Sequence, residues 1–287
     1  MDLTPIFYQL FTGLYRASIY WLIASGLTLI FGVLRVVNFS QAVLLVLGGY
    51  LTYTFYKLTG NLWLSIALAS LTVGLVGIAI ERLLLRPLYK VDVTYQLLMT
   101  FAASLIINDV SKNIWGKLPI SVPLPESLAI GITILGRVFP LYMILVIAVG
   151  LAVYLLIVML INKTMWGLRV RATWRRPHIA ESLGINTGMI YTSVFFLGSL
   201  VAGLGGGLLV MFSPVVPGLS DFLIVSAFIV TVIAGLGHLH GAYIASLIIG
   251  ISESIFTLYF PEVDLLLIYL IMAISLLVRP QGIFGER

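Results

Sequence analysis

The sequence predicts an all-α, polytopic transmembrane helical bundle, and three observations carry that prediction. Charged residues make up 9% of the 287 residues and hydrophobic ones 61%, whereas a soluble domain is about a quarter charged. Mean hydropathy is +1.13, so most of the chain must be sheltered from water. Apolar runs of about twenty residues recur, the length that crosses a ~30 Å hydrocarbon core as a helix. Runs such as "LYMILVIAVGLAVYLLIVMLI" lack the in–out alternation of a membrane-barrel strand.

Nine hydrophobic segments follow in order, near residues 17–34, 40–58, 62–80, 94–111, 140–161, 188–211, 222–237, 241–258 and 263–278. Eight or nine crossings are therefore expected within a single domain, 1–287. The seventh and ninth are short, so a re-entrant pair or buried helices remain open there. Basic residues fix the orientation. With the first loop inside, eleven of the sixteen Lys and Arg residues fall on one side: Arg35, Arg82, Arg86, Lys90, Lys163, Arg169, Arg171, Arg175, Arg176, Arg279 and Arg287. Lys57, Lys112, Lys117 and Arg137 fall on the other. The N-terminus is then outside and the C-terminus cytoplasmic, in a multi-pass protein of the cell (inner) membrane. Arg16 stands nineteen residues before Arg35, about 28 Å of helix. The two arginines are read as marking the interfaces, with residues 4–15 along the outer surface.

Several chemistries are excluded. No cysteine is present, which removes disulfides, thiolate zinc sites and cysteine nucleophiles. No phosphate-binding GxxxxGK[ST] occurs. The histidines of "GLGHLHG" (235–241) are spaced i,i+2, on different faces of a helix, and fit a bilayer-edge loop better than a metal site. Acidic residues are scattered singly. No cleavable signal is evident in "MDLTPIFYQL". Neither an enzyme, a resident cofactor, a metal centre nor a nucleic-acid partner is expected, and the net charge of +5 is assigned to membrane topology and lipid.

Polar residues inside apolar segments then become candidates. Gln96, Thr100, Ser104 and Asn108 recur at i+4 and form one slowly curving stripe on a helix. Ser246, Gly250, Glu253 and Thr257 form a second. Both could be interhelical packing surfaces or pathway lining. Glu253 lies twelve residues past Gly241, about 18 Å along the helix, where a carboxylate needs a cavity or a partner. Asn38 and Gln41, flanking Ser40, have capping-box spacing, and this helix start could also meet a ligand. Gly74, Gly77 and "GLGGGLL" (203–209) read as close-packing surfaces.

Two loops are long. The outer one, 112–139, carries three prolines and the alternating "LAIGITIL", which predicts a small strand pair outside the membrane. The inner one, 163–187, gathers Arg169, Arg171, Arg175 and Arg176. Within it Pro177 suits a first helical position and Gly184 the residue just past a helix end. That frames "PHIAESL" as a helix of about seven residues, too short to be stable alone in water, and so a docking element.

These motifs resemble the permease subunit of branched-chain amino acid ABC transporters, a family that also includes urea and short-amide importers. The likeness runs through "GLTLIFGVLRVVNFSQ", "ERLLLRPLY", "LLMTFAASLII", "RATWRRPHIAESLGIN", "GLGGGLL", "GLGHLHGAYIASLIIGISES" and "VRPQGIFG". It implies that "AESLGIN" is the coupling loop that enters an ATPase cleft, with Ala180, Glu181 and Gly184 as the positions carried over. It also implies two ATPase subunits, a second permease subunit (a second copy or a related chain) and an extracytoplasmic solute-binding protein. Two places depart from the family pattern. Ser40, Gln41, Ala42 and Val43 stand where the family often has a small residue, His and Gly, then an acidic or aromatic residue. "GLGHLHGA" replaces the common "GGMGS…PGA". Both could touch the pathway, so the solute does not transfer with the resemblance. The expected function is inward passage of a small polar solute, a branched-chain or other hydrophobic amino acid by the resemblance. Rival readings are a urea or short-amide permease, an ion- or proton-coupled carrier using Glu253, and a membrane scaffold without transport.

Overall fold

The computed structural model describes residues 4–134, 137–260, 264–279 and 282–284. Its helices are α1 (Thr4–Leu34), α2 (Gln41–Thr59), α3 (Leu62–Ala79), α4 (Val93–Trp115), α5 (Glu126–Ala129), α6 (Leu141–Lys163), α7 (Met165–Arg175), α8 (Pro177–Ser182), α9 (Thr187–Phe212), α10 (Leu219–Ala234), α11 (Leu239–Tyr259) and α12 (Asp264–Val278). A π-helical stretch at Ile80–Leu85 and a 3-10 turn at Arg86–Leu88 extend α3. The 112–139 loop contains the expected hairpin, β1 (Gly131–Ile134) antiparallel to β2 (Arg137–Pro140). The fold is thus a helical bundle with one small strand pair.

Helix ends follow the sequence's punctuation. Gly60 and Gly116 end α2 and α4 with positive φ. Asn61 caps α3 by accepting from the Leu64 N–H at 3.2 Å. Asp92 caps α4 through the Thr94 N–H at 2.8 Å, and hydrogen bonds from Thr94 hold its carboxyl below the usual carboxylate range.

Among the described residues, six helical spans are long and apolar enough to cross a membrane: Tyr8–Leu34, Leu62–Leu88, Val93–Trp115, Leu141–Lys163, Thr187–Phe212 and Leu239–Tyr259. The other three expected segments correspond to α2, α10 and α12. The last two are shorter apolar helices, and α2 is diluted by Gln41, Lys57 and three tyrosines. Two local readings change. Residues 4–15 continue α1 without a break instead of forming a separate surface segment. The basic loop contains α7, which the sequence reading omitted; Thr164 caps it through the Gly167 N–H at 3.0 Å.

α1 runs through the middle, with Trp21, Leu22, Ile23 and Ala24 fully buried, and packs on α6, α9, α10 and α11. α4 and α6 are peripheral: Leu98, Phe101, Ile106, Leu155 and Leu156 are exposed and suit a lipid face. The glycine groups are packing surfaces, as their spacing suggested. A methyl at Gly48 of α2 would lie 2.6 Å from the Gly203 carbonyl of α9, and one at Gly206 would overlap the Leu45 carbonyl. At Gly74 a methyl would instead meet the rim of the Phe196 ring at 2.6 Å.

That difference predicts graded damage. Gly206→Ala forces two backbones apart and should cost at least the ~1–3 kcal/mol of core overpacking. Gly74→Ala should cost less, because a ring can swing. Thermal unfolding of the purified variants checks the order; equal Tm values would contradict it.

Candidate functional site

The end of the bundle that carries the basic loop holds most of the polar architecture. There α8 begins with Pro177 in its first turn and ends as the glycine predicted. Gly184 has φ +82, its N–H donates to the Glu181 carbonyl at 2.9 Å, and the Ile185 N–H donates to the Ala180 carbonyl at 3.0 Å. This is the paired hydrogen bonding of a Schellman cap. The three positions singled out in sequence have distinct places. Ala180 is buried against the bundle. Glu181 accepts from the Thr187 hydroxyl at 2.5 Å, tying α8 to the first turn of α9. Gly184 turns the chain. Glu181 is also exposed, beside an apolar pair: Ile179 of α8 is 48% exposed and its cap residue Leu183 76%, one turn apart.

Behind α8 lies a carboxylate that the sequence reading passed over. Glu81, in the π-helical stretch, is fully buried. It accepts from Tyr89 Oη and from Thr192 Oγ1, each at 2.7 Å. It therefore clamps the end of the α3 span to α9, one turn above the α8–α9 junction. Its signal was present: an acid terminating the apolar run of residues 62–80.

Asn38, Ser40 and Gln41 form a closed knot rather than a capping box. α2 starts at Gln41, and Ser40, its cap residue, makes no side-chain cap bond. Asn38 Oδ1 accepts from the Ser40 N–H and hydroxyl at 3.1 and 2.6 Å, and Asn38 Nδ2 donates to Gln41 Oε1 at 3.2 Å. Gln41 Nε2 reaches across to the Gly198 carbonyl of α9 at 2.9 Å. It passes Gly26 of α1, where a methyl would collide with it. Thr100 accepts from the Phe39 N–H at 3.2 Å. All four side chains are fully buried.

The α4 stripe faces inward, with Gln96, Thr100 and Asn108 buried and Ser104 half-buried. Gln96 Nε2 donates to the Leu88 and Val91 carbonyls at 3.0 and 3.2 Å. Asn108 Nδ2 donates to Ser220 Oγ at 3.0 Å. The carbonyl oxygens Gln96 Oε1 and Asn108 Oδ1 are buried without a hydrogen-bond partner. A buried acceptor left so costs about 1–3 kcal/mol.

At the opposite end, Glu253 has the partner its depth required. Arg16 Nη1 is 2.8 Å from Glu253 Oε1, and the Tyr20 hydroxyl donates to Oε2 at 2.7 Å. Arg16 is thus no free interface marker; it bridges α1 to α11. The two helices meet there closely enough that a methyl at Gly13 would lie 2.7 Å from the Ile251 Cα. Of the second stripe, Gly250 faces the same seam, against Ala17 of α1, and Ser246 is buried. His238 and His240 also separate, as their spacing implied: His238 packs edge-on to Trp174 and His240 Nδ1 meets Tyr154 Oη at 2.8 Å.

Residues 9–276 match the family model described as branched-chain amino acid transport system permease component. The chain belongs to that family. It is 32% identical, over 92% of its length and 88% of the relative's, to a probable branched-chain amino acid transport permease protein LivH of Methanocaldococcus jannaschii. Two relatives are each covered over 95% of their length by 97% of this chain. They are the high-affinity branched-chain amino acid transport system permease proteins LivH of Escherichia coli K12, at 27% identity, and BraD of Pseudomonas aeruginosa, at 26%. No solved structure matches the chain significantly. With six spans of membrane-crossing length, this is a multi-pass membrane permease.

The ion pair yields a prediction. Arg16 is about a third exposed and Glu253 nearly buried, so the pair should couple by more than a surface bridge and less than a fully buried one, about 1–3 kcal/mol. Glu253→Gln and Arg16→Met should each destabilise, and the double variant should recover part of the loss. A thermodynamic cycle from unfolding measurements tests it; additive losses would show that the two groups do not interact.

Proposed function

We propose that the chain is the membrane-spanning subunit of an ATP-driven ABC importer for branched-chain or other hydrophobic amino acids. The observation that carries this reading is α8. A capped helix of six residues is held to the bundle by Ala180 and Glu181 and presents Ile179 and Leu183 outward. Such a knob suits the cleft of a separate ATPase subunit, and the chain has no phosphate-binding loop of its own. Family membership supports the remaining partners: two ATPases, a second permease copy or related chain, and an extracytoplasmic solute-binding protein.

In this reading α2, α10 and α12 complete nine crossings, with the N-terminus outside and the C-terminus in the cytoplasm. The basic loops support it by gathering at one end: Arg86 lies against Gly188, and Trp174 against Gly32 and Gly237. The outer loop is pinned to the α9–α10 connection, where Ile120 pairs with Val215. Its exposed Leu118 and Ile130 offer the binding protein an apolar foothold. Closure of the ATPases would push α8 and, through Glu181–Thr187 and Glu81–Thr192, both ends of the first turns of α9, biasing a two-state gate.

For the solute path we assign the α4 stripe. Gln96 Oε1 and Asn108 Oδ1 are acceptors to which a solute ammonium or amide could donate. The Asn38–Ser40–Gln41 knot is internally satisfied and is assigned to fixing the α1–α2 turn. An ion-coupled carrier would need Glu253 to exchange its ligand, and the bonds to Arg16 and Tyr20 argue against that. Urea and short amides remain the runner-up solutes, since the same acceptors would serve them.

Two measurements test these assignments. Gly184→Val meets no neighbour within 4 Å but puts a β-branched residue at φ +82, costing ~1–2 kcal/mol or more. Recovery of the ATPase by pull-down and leucine uptake should both fall sharply, with the permease still inserted, whereas Arg175→Ala should be mild. Normal recovery and uptake in Gly184→Val would remove the coupling reading. Asn108→Leu should raise the KM for leucine roughly two- to tenfold, the worth of one hydrogen bond, at unchanged assembly; an unchanged KM would take Asn108 off the path.

A further inference from the structure

A cavity of about 300 Å³ lies at the basic end, away from the α4 stripe, between α1, α6, α7 and the start of α11. Its walls are aliphatic, built from Leu29, Val33, Val158 and Val170, and Phe284 closes one side. The chain end is drawn there by backbone bonds from the Ile283 and Phe284 N–H groups to the Ile233 and Ala234 carbonyls, at 2.7 and 3.2 Å.

The polar groups in this apolar space are mostly donors. The N-terminus of α11, a helix of 21 residues, opens into it with no side-chain cap on its first amides. Free amides plus the helix dipole favour an anion. Independently, Thr28 lines the cavity, is fully buried, and its Oγ1 has no partner. A helical threonine ordinarily satisfies itself on the preceding turn, so an orphaned hydroxyl there points to a ligand atom. His238 Nδ1 is buried and unpartnered on the same wall. Arg171 donates one guanidinium nitrogen to the Ile161 carbonyl, and the fork has further N–H groups to offer.

We propose that this cavity binds a small aliphatic carboxylate. The carboxylate would sit at the α11 N-terminus, taking a hydrogen bond from Thr28 and charge from Arg171. The hydrocarbon would fill the space between Leu29, Val33 and Phe284. The volume, at the low end of ligand pockets of roughly 300–1,000 Å³, favours a short branched chain. The same chemistry has two sources, a free short-chain acid and the head of a long fatty acid entering from the bilayer. Because Arg171 and Trp174 belong to α7, and only Arg176 separates α7 from α8, an occupied cavity would hold the coupling segment against α1 and α11. That consequence rests on the proposed function; the binding itself does not.

The test uses the purified full-length permease in nanodiscs, without ATPase, so that the transport reading can fail while this one stands. Isovalerate is titrated by calorimetry, with isovaleramide as its uncharged isostere and decanoate as the long-chain competitor. Saturable isovalerate binding, at least tenfold tighter than the amide, is expected, together with slowed hydrogen exchange across Met165–Arg175. Thr28→Val, which keeps the shape, should weaken binding roughly two- to tenfold. Val33→Phe should fill the cavity and abolish binding at an unchanged Tm. Competition by decanoate assigns the natural source to lipid-derived acids, and its absence to free short-chain acids. No saturable isovalerate binding, equal affinity for the amide, or full binding by a folded Val33→Phe protein would each overturn the proposal.

Discussion

Everything else in this bundle depends on how closely α9 approaches its neighbours. Lipid tails are as apolar as leucine, so helices in a membrane gain little from hiding apolar surface and associate through close contact. α9 meets three helices at once because its glycines face different ways. Gly203 looks toward Ser70 and Val73 of α3, Gly205 toward Leu22 of α1 and Leu45 of α2, and Gly207 toward Thr52 and Ile66. Gly198, with Gly26 opposite, opens the slot through which Gln41 reaches the α9 backbone. Without that closeness Gln41 of the knot at the α1–α2 turn could not reach the Gly198 carbonyl.

Two buried carboxylates among the described residues, Glu253 and Glu81, show how the fold handles charge at its two ends. Glu253 is held by a cation and a phenol, which locks α1 to α11 far from the basic loop. Glu81 is held by two hydroxyls, Tyr89 and Thr192, at the one place where α3 departs from regular α-helical winding. A wider turn there costs little because the stretch is at the end of the span, and π-helical turns often sit at functional positions. Its hydroxyl partners can rotate away more readily than an ion pair can separate. The arrangement thus puts a rigid latch at one end and a yielding one beside α8.

Local rules explain why parts of the site were legible early. Proline at a first turn and glycine just beyond a last turn are decided by backbone sterics, so α8 and its cap could be read from "RPHIAESLGIN". The inward face of α4 followed from i+4 spacing. What could not be read was which residues here face outward: Ala180 is buried against the bundle, while Glu181, Ile179 and Leu183 are exposed. Nor could Arg16 be matched to Glu253, since a pairing across 237 residues has no local signature. Glu81 was missed for the same reason, because its meaning lies in Thr192, on another helix.

Sequence alone therefore determined the membrane environment, the helical class, the capped helix in the basic loop and the glycine packing surfaces. Each follows from composition, periodicity or steric preference within a few residues. Tertiary structure decided the partners: which carboxylate meets an arginine, which amides and hydroxyls stay unpartnered, and where a cavity remains. Those outcomes depend on helices far apart in the chain meeting at a given height and rotation. One residue of rotation, about 100° on a helix, would assign every one of them differently.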